Sequence, residues 1–143
     1  MSLKELLAAG RLRPHKTGSQ EIEKLFAVVD RDMKDARVAG LSADRRFTIA
    51  YNAVLQTSRA LLAARGYRTS GQGHHAAAFL ALRSLLPKEH RPLLDYFDDC
   101  RSKRNLAEYT GSGVTSEQEA ADLVKQAETF SRIVRKLIKK RHP

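Results

Sequence analysis

The chain has 143 residues, of which 42% are apolar, and carries a formal net charge of +10. This length suits one domain with a proper core, and the charge favours anionic partners such as nucleotides, RNA or an acidic protein. No apolar run approaches the roughly 18 to 20 residues that cross a bilayer, and the N-terminus lacks the apolar region of a secretory signal. We therefore expect a cytoplasmic protein without a membrane contact. The single cysteine, Cys100, excludes an internal disulfide and a cysteine-built zinc site.

The first eighteen residues predict a short helix followed by a loop. The helix runs from about Leu3 to Ala9, with Ser2 as its N-cap and Gly10 at its end. The loop that follows contains Pro14. Neither this part nor the rest of the chain shows the alternating β-branched pattern that is typical of a strand.

Two long helices are predicted next, each with apolar residues at helical spacing. The second helix begins after Ser19, which is a favourable N-cap, and Gly40 closes it. The third helix begins after Ser42. Gly66 ends it, since glycine is the preferred residue just beyond a helix C-terminus.

Three further helices complete the predicted fold. The fourth runs from about His74 to Leu86, the fifth covers 93–109, and the last begins at Thr115 or Ser116 with a capping box. Short connections make successive helices antiparallel neighbours. We therefore predict an all-α, up-and-down bundle of about five helices. It forms a single domain over residues 1–143, in which 19–141 are the bundle and 1–18 the N-terminal helix and loop.

Arg104 stands where an apolar residue is expected in the fifth helix. Leu93, Phe97, Cys100 and Ala107 form a narrow stripe at 3.6 residues per turn, and Arg104 lies near its middle. An unpaired buried charge costs several kcal/mol, so a guanidinium in this position needs an anion, carbonyl groups or a wet groove. The position predicts a polar cleft, between helices or across a subunit interface, that binds an anion. A structural alternative is an ion pair with Glu108 on the same helix.

Three stretches of the sequence occur in an order that resembles a known family. Residues 47–66 begin with aromatic-x-x-Ala-Tyr and end with Arg-Ala-Leu-Leu-x-x-x-Gly. Residues 73–75 read Gly-His-His, and residues 104–109 read Arg-Asn-Leu-Ala-Glu-Tyr. Over about residues 20–140, this arrangement resembles the HEPN domain superfamily.

The resemblance implies a helical bundle that forms a homodimer, in which the signature arginines of both subunits line a shared cleft. Many family members are metal-independent ribonucleases, often toxins paired with a small nucleotidyltransferase antitoxin. Other members bind nucleotides or serve as partners of a nucleotidyltransferase. The implied ligand is therefore a nucleotide or RNA, the implied partner is a nucleotidyltransferase in a toxin–antitoxin system, and no cofactor is implied.

The sequence departs from the nuclease motif, which is Arg, a polar residue, three to five others and then His. Arg104 and Asn105 match the first two positions, but Tyr109 stands in the histidine position. The Ala-Glu-Tyr ending resembles a separate branch of the family. A tyrosine, with a pKa near 10, is a poor general base at neutral pH, which counts against an enzyme. Our first hypothesis is a binding module in which Arg104 contacts phosphate, with Asn105 and Tyr109 beside it.

Two alternatives stay open. The first is a metal-independent endoribonuclease, in which His74 or His75 supplies the general acid, since histidine titrates near neutrality. The two side chains point about 100° apart on a helix and have no cysteine or carboxylate at ligand spacing, so we predict no metal site. The second alternative is a structural protein-interaction module.

Overall fold

The computed structural model describes residues 1–71, 73–110 and 115–141, with side chains described throughout these ranges except at 106–110 and 141. The described residues form six α-helices, two strands of three residues each and a 3₁₀ turn. In chain order they are α1 (Leu3–Ala8), β1 (Leu12–Pro14), α2 (Ser19–Asp35), α3 (Ala43–Ala64), β2 (Tyr67–Thr69), α4 (His74–Leu85), the 3₁₀ turn (Lys88–His90), α5 (Arg91–Thr110) and α6 (Glu117–Arg141). The predicted all-α fold is confirmed.

Serine caps begin three of the helices where the sequence predicts them. The Ser2 hydroxyl accepts from the backbone N–H of Glu5 at 3.1 Å, and the Glu5 carboxylate accepts from the N–H of Ser2 at 3.2 Å. Ser116 and Glu119 form the same reciprocal box at the start of α6, with distances of 3.0 and 2.9 Å. Ser42 caps α3 through its hydroxyl. These contacts satisfy backbone donors that a helix N-terminus otherwise leaves unpaired.

Both predicted ends of the second helix are wrong. Helix α2 begins at Ser19 itself, with Gly18 as N-cap and no side-chain cap, and it ends at Asp35, well before Gly40. Glycine is an acceptable N-cap, so the Gly18–Ser19 pair offers two starts that sequence alone does not separate. At the other end, turn hydrogen bonds continue beyond α2, including one from the N–H of Val38 to the carbonyl of Asp35.

The expectation of a loop after α1 and of no strands is also wrong. The two strands pair antiparallel, with Leu12 opposite Thr69, Arg13 opposite Arg68 and Pro14 opposite Tyr67. Strands of three residues are too short to show alternation, and their pairing joins segments far apart in the chain. Gly66, at φ +92°, turns the chain from α3 into β2, and its carbonyl accepts from the N–H of His15 at 2.8 Å. The N-terminal segment is thereby fixed to the end of α3.

Helix α3 is the central element, packed by α2, α4, α5 and α6. Its small or polar residues permit the neighbouring helices to pack closely. The buried hydroxyls of Thr57 and Ser58 donate hydrogen bonds to backbone carbonyls of the same helix at 2.8 Å. A chain of rings crosses the interior. The Phe97 ring lies 6.3 Å from that of Phe79 and 5.0 Å from that of Phe130. Within the described ranges, no helix has the length and apolar character needed to span a membrane.

Candidate functional site

Arg104 lies on the flank of the bundle where α5 meets α3. Phe97 and Cys100 are buried on the same stripe of α5, whereas Arg104 is half-buried. Its guanidinium carbon lies 5.4 Å from the centre of the Tyr51 ring, which belongs to α3. This is a cation–π arrangement, favourable because the ring face carries negative charge density. The Ala107 side chain lies outside the described residues.

Tyr51 is the buried residue that Arg104 and His75 both contact on this flank. Its side chain is fully buried, and its ring packs edge-on against Phe79 at 6.4 Å between centres. Burial raises the pKa of Tyr51 far above its ordinary value, and the nearby Arg104 and Arg101 guanidinium groups only partly oppose this. The phenol therefore stays neutral at physiological pH, where it presents a ring face to one neighbour and a hydroxyl to another.

His75 is the neighbour that the Tyr51 hydroxyl faces. The Tyr51 hydroxyl oxygen lies 3.4 Å from Nδ1 of His75, and the two ring centres are 5.7 Å apart. His75 is half-buried in the first turn of α4, while His74 is exposed. The structure thus brings one of the two candidate histidines into the neighbourhood of Arg104 and leaves the other in solvent.

Arg101 completes a group that we call the basic cluster, which consists of Tyr51, His75, Arg101 and Arg104. Arg101 is half-buried and donates from Nε to Oδ1 of Asp98 at 2.9 Å. Arg104 and His75 thus contact one neutral buried ring, and the Arg101 guanidinium is near enough to favour ionisation of that ring. The positive charges of Arg101 and Arg104 favour an anionic ligand here.

The remaining candidates of α5 are placed less completely. Asn105 is exposed and follows Arg104 directly. Tyr109 has a helical backbone, but its side chain lies outside the described residues, and so does the side chain of Glu108 that was the alternative partner of Arg104. Neither the predicted role of Tyr109 nor the Arg104–Glu108 pair is therefore addressed by the geometry.

The acidic residues of α5 lie on its outer side. Asp95 pairs with Arg83 of α4, Asp98 pairs with Arg101, and Asp99 is exposed. Nowhere in the described residues do three or more histidine, cysteine or carboxylate groups come together as a metal site. Cys100 is buried, which raises the pKa of its thiol to about 11, so it packs as a small apolar residue.

The sequence analysis missed a polar network next to Tyr51. Asp32 of α2 is buried, and its Oδ2 accepts from Nδ2 of Asn52 at 2.6 Å. Its other oxygen accepts from Arg31 at 3.1 Å, so both carboxylate oxygens are bonded. This network fixes the residue after Tyr51 to α2. A signal was present, because Asp32 lies between the buried Val29 and Met33 at helical spacing.

Comparison with known families identifies the class of protein. The model of the SAV_6107-like HEPN family matches residues 38–135, a range that includes α3, α4 and α5 with the basic cluster. Searches of curated proteins and of solved structures gave no match. The chain therefore belongs to the HEPN domain superfamily, as the three sequence stretches predicted. Helix α1, strand β1 and the whole of α2 precede the matched range.

Proposed function

We propose that this HEPN domain binds the phosphate of a nucleotide or RNA through Arg104. The observation that carries the proposal is the guanidinium held half-buried against the neutral ring of Tyr51. A guanidinium carries its N–H donors in a planar fork, which suits two phosphate oxygens at once. Partial exclusion of water strengthens such charge-assisted bonds.

The surroundings of Arg104 support the same ligand. Arg101 and His75 add donors within the basic cluster, and the exposed Asn105 can add an amide. Tyr109 is one turn beyond Asn105 in the sequence of the helix and is a further proposed hydroxyl donor. The net charge of +10 would attract polyanions from a distance.

The assembly belongs to the same proposal. A homodimer would bring the Arg104 of a second copy to a shared cleft, which would double its positive charge. A nucleotidyltransferase is the proposed partner, in a toxin–antitoxin setting, and the cytoplasm is the proposed compartment. These statements extend the family resemblance and are tested by the mass of the purified protein and by co-purification.

Replacing Arg104 with alanine should weaken binding of a short single-stranded RNA by about tenfold or more, because a charge-assisted contact of about 1.5–3 kcal/mol is lost. Fluorescence anisotropy with a labelled RNA, and competition by AMP, measure the affinity at two salt concentrations. Arg91→Ala is the matched control, since Arg91 is exposed at the start of the same helix and the charge change is identical.

The melting temperature separates binding from folding in this experiment. Affinity that is unchanged in Arg104→Ala, together with a large drop in melting temperature, would show that Arg104 is structural. Equal losses in the Arg104 and Arg91 variants would show a diffuse charge effect without a site. A wild-type protein with no salt-dependent affinity for RNA would favour the protein-interaction alternative.

A second candidate function is supported by the position of His75. In a metal-independent ribonuclease, the ribose 2′-oxygen bonds to phosphorus and loses its proton, and the departing 5′-oxygen takes a proton. Imidazole is the side chain best suited to move these protons near neutral pH. This candidate is supported by the contacts that His75 and Arg104 both make with Tyr51, since position 109 has a tyrosine in place of a histidine.

The cleavage test compares the two adjacent histidines. If the domain is a nuclease, RNA incubated in EDTA should yield 2′,3′-cyclic phosphate ends. The activity should be lost in His75→Ala and Arg104→Ala and retained in His74→Ala, because His74 is exposed beside the same site. No cleavage by the wild-type protein, or equal activity in all variants, would eliminate this candidate.

A further inference from the structure

A large groove lies at the other end of α3 from the basic cluster. Its volume is about 940 Å³, and it is bounded by the start of α2, the end of α3 and the last turns of α6. Ala64, in its wall, is about 20 Å along α3 from Tyr51 at a rise of about 1.5 Å per residue. The groove is therefore separate from the site proposed above.

The floor of the groove is apolar. Ile22 and Phe26 face it from α2, Ala63 and Ala64 from α3, and Ile138 from α6. Phe26 and Ile138 are only partly buried, and both pack against the core. Aliphatic and aromatic carbon in a concave site favours a ligand with an apolar body, since binding removes the apolar surface of that body from water.

The rim of the groove is cationic. The lining includes four lysine and arginine side chains, against the single carboxylate of Glu23. The four are Lys16, Arg65, Arg135 and Lys139. This imbalance gives the apolar groove a positive field at its edge, which attracts an anionic group.

Two of these cations are held in place by protein contacts. Arg65 donates from Nη2 to the carbonyl of Leu137 at 3.3 Å. Arg135 donates from Nη2 to Asp30 at 2.6 Å, and its guanidinium carbon lies 4.4 Å from the centre of the Phe26 ring. Its Nε is buried and has no hydrogen-bond partner among the described residues. Arg135 thus links the apolar floor to the charged rim.

We infer that this groove binds a small organic anion that has an apolar body. The volume lies at the upper end of the range of about 300–1,000 Å³ found for small-molecule sites. An apolar floor suits a hydrocarbon or aromatic body better than a nucleobase, whose edges need hydrogen-bond partners. The cationic rim supplies the contact for one carboxylate, sulfonate or phosphate group. This ligand class is independent of the phosphate binding proposed at Arg104.

The probe for the test is anilinonaphthalene sulfonate, a fluorescent anion with an apolar body. A double charge reversal, Lys16→Glu with Lys139→Glu, should lower its affinity about tenfold, which corresponds to about 1.4 kcal/mol. Both lysines are exposed, so their replacement should leave the fold intact. The control is Lys4→Glu with Lys125→Glu, which changes the net charge equally at exposed positions outside the groove lining.

Competing ligands test the two halves of the proposed chemistry. Phenylnaphthylamine, which lacks the sulfonate, should bind about tenfold more weakly, decanoate should displace the dye, and inorganic phosphate and AMP should not. Amide NMR shifts caused by the dye should centre on Gly18, Gly66 and Ile138. Equal losses in the two double variants, displacement by AMP, or shifts centred on α5 would each overturn the inference. The Arg104 test uses other variants and a labelled RNA, so the failure of either proposal can be told from the failure of the other.

Discussion

Replacement of Phe97 by alanine should lower the free energy of unfolding by about 3–5 kcal/mol. Phe97 is fully buried, and its ring lies 5.0 Å from that of Phe130, 5.7 Å from that of Tyr96 and 6.3 Å from that of Phe79. The residue therefore joins α4, α5 and α6 through ring contacts. Its removal costs both the transfer energy of the ring and the cavity left behind. Because small domains are stable by only about 5–15 kcal/mol, this loss would remove a large part of the total stability.

Urea unfolding followed by circular dichroism measures this loss. Ser102→Ala serves as the control, because Ser102 is exposed on the same helix and the change should stay within about 0.5 kcal/mol. A loss below about 1.5 kcal/mol for Phe97→Ala would contradict the role of the ring chain, since it would mean that neighbouring helices close the cavity without cost.

The helices were predictable because their signals are local. A capping hydroxyl and its N3 partner are three residues apart, so Ser116 and Glu119 predict the start of α6 from within a single turn. The buried stripe of α5 follows in the same way from the spacing of Phe97 and Cys100. Such features depend only on the residue's own helix.

Features that join distant segments were not predictable. The pairing of Leu12 with Thr69 is set by tertiary contacts, and neither strand is long enough to show a pattern of its own. At the candidate site, the position of Arg104 indicated a polar environment, but nothing in α5 identified Tyr51 as its neighbour. The separation of His75 from His74 likewise depends on how α4 packs against α3.

Tyr51 gives the second large effect, since it is both a core residue and the surface on which Arg104 rests. Tyr51→Ala should cost about 3–4 kcal/mol of stability, because a fully buried ring is removed. Tyr51→Phe should cost about 1 kcal/mol or less. The hydroxyl contact to His75, at 3.4 Å, is long for a hydrogen bond, and the ring face toward Arg104 is retained.

Alkaline unfolding provides an independent check on the buried phenol. The folded-state pKa of Tyr51 is raised, mainly by burial, so the unfolded chain ionises first as pH rises through about 10. The unfolded state then binds fewer protons than the folded state, and stability falls as pH rises. Tyr51→Phe should reduce this fall between about pH 9 and 11, and it should not abolish it, because burial also raises the pKa of Tyr96. An identical alkaline profile in Tyr51→Phe would show that the phenol reaches solvent.

RNA affinity then separates the ring from the hydroxyl. If the ring face positions Arg104, Tyr51→Phe should bind RNA within about twofold of the wild type. Tyr51→Leu, which keeps an apolar side chain but removes the π face, should lose about twofold to thirtyfold, which corresponds to a cation–π energy of about 0.5–2 kcal/mol. Equal affinity in the leucine variant would mean that α5 alone positions the guanidinium. Equal losses in the phenylalanine and leucine variants would transfer the role to the hydroxyl and its contact with His75, because both variants lack the hydroxyl. The Tyr51 ring therefore links the stability of the core to the binding proposed at its edge.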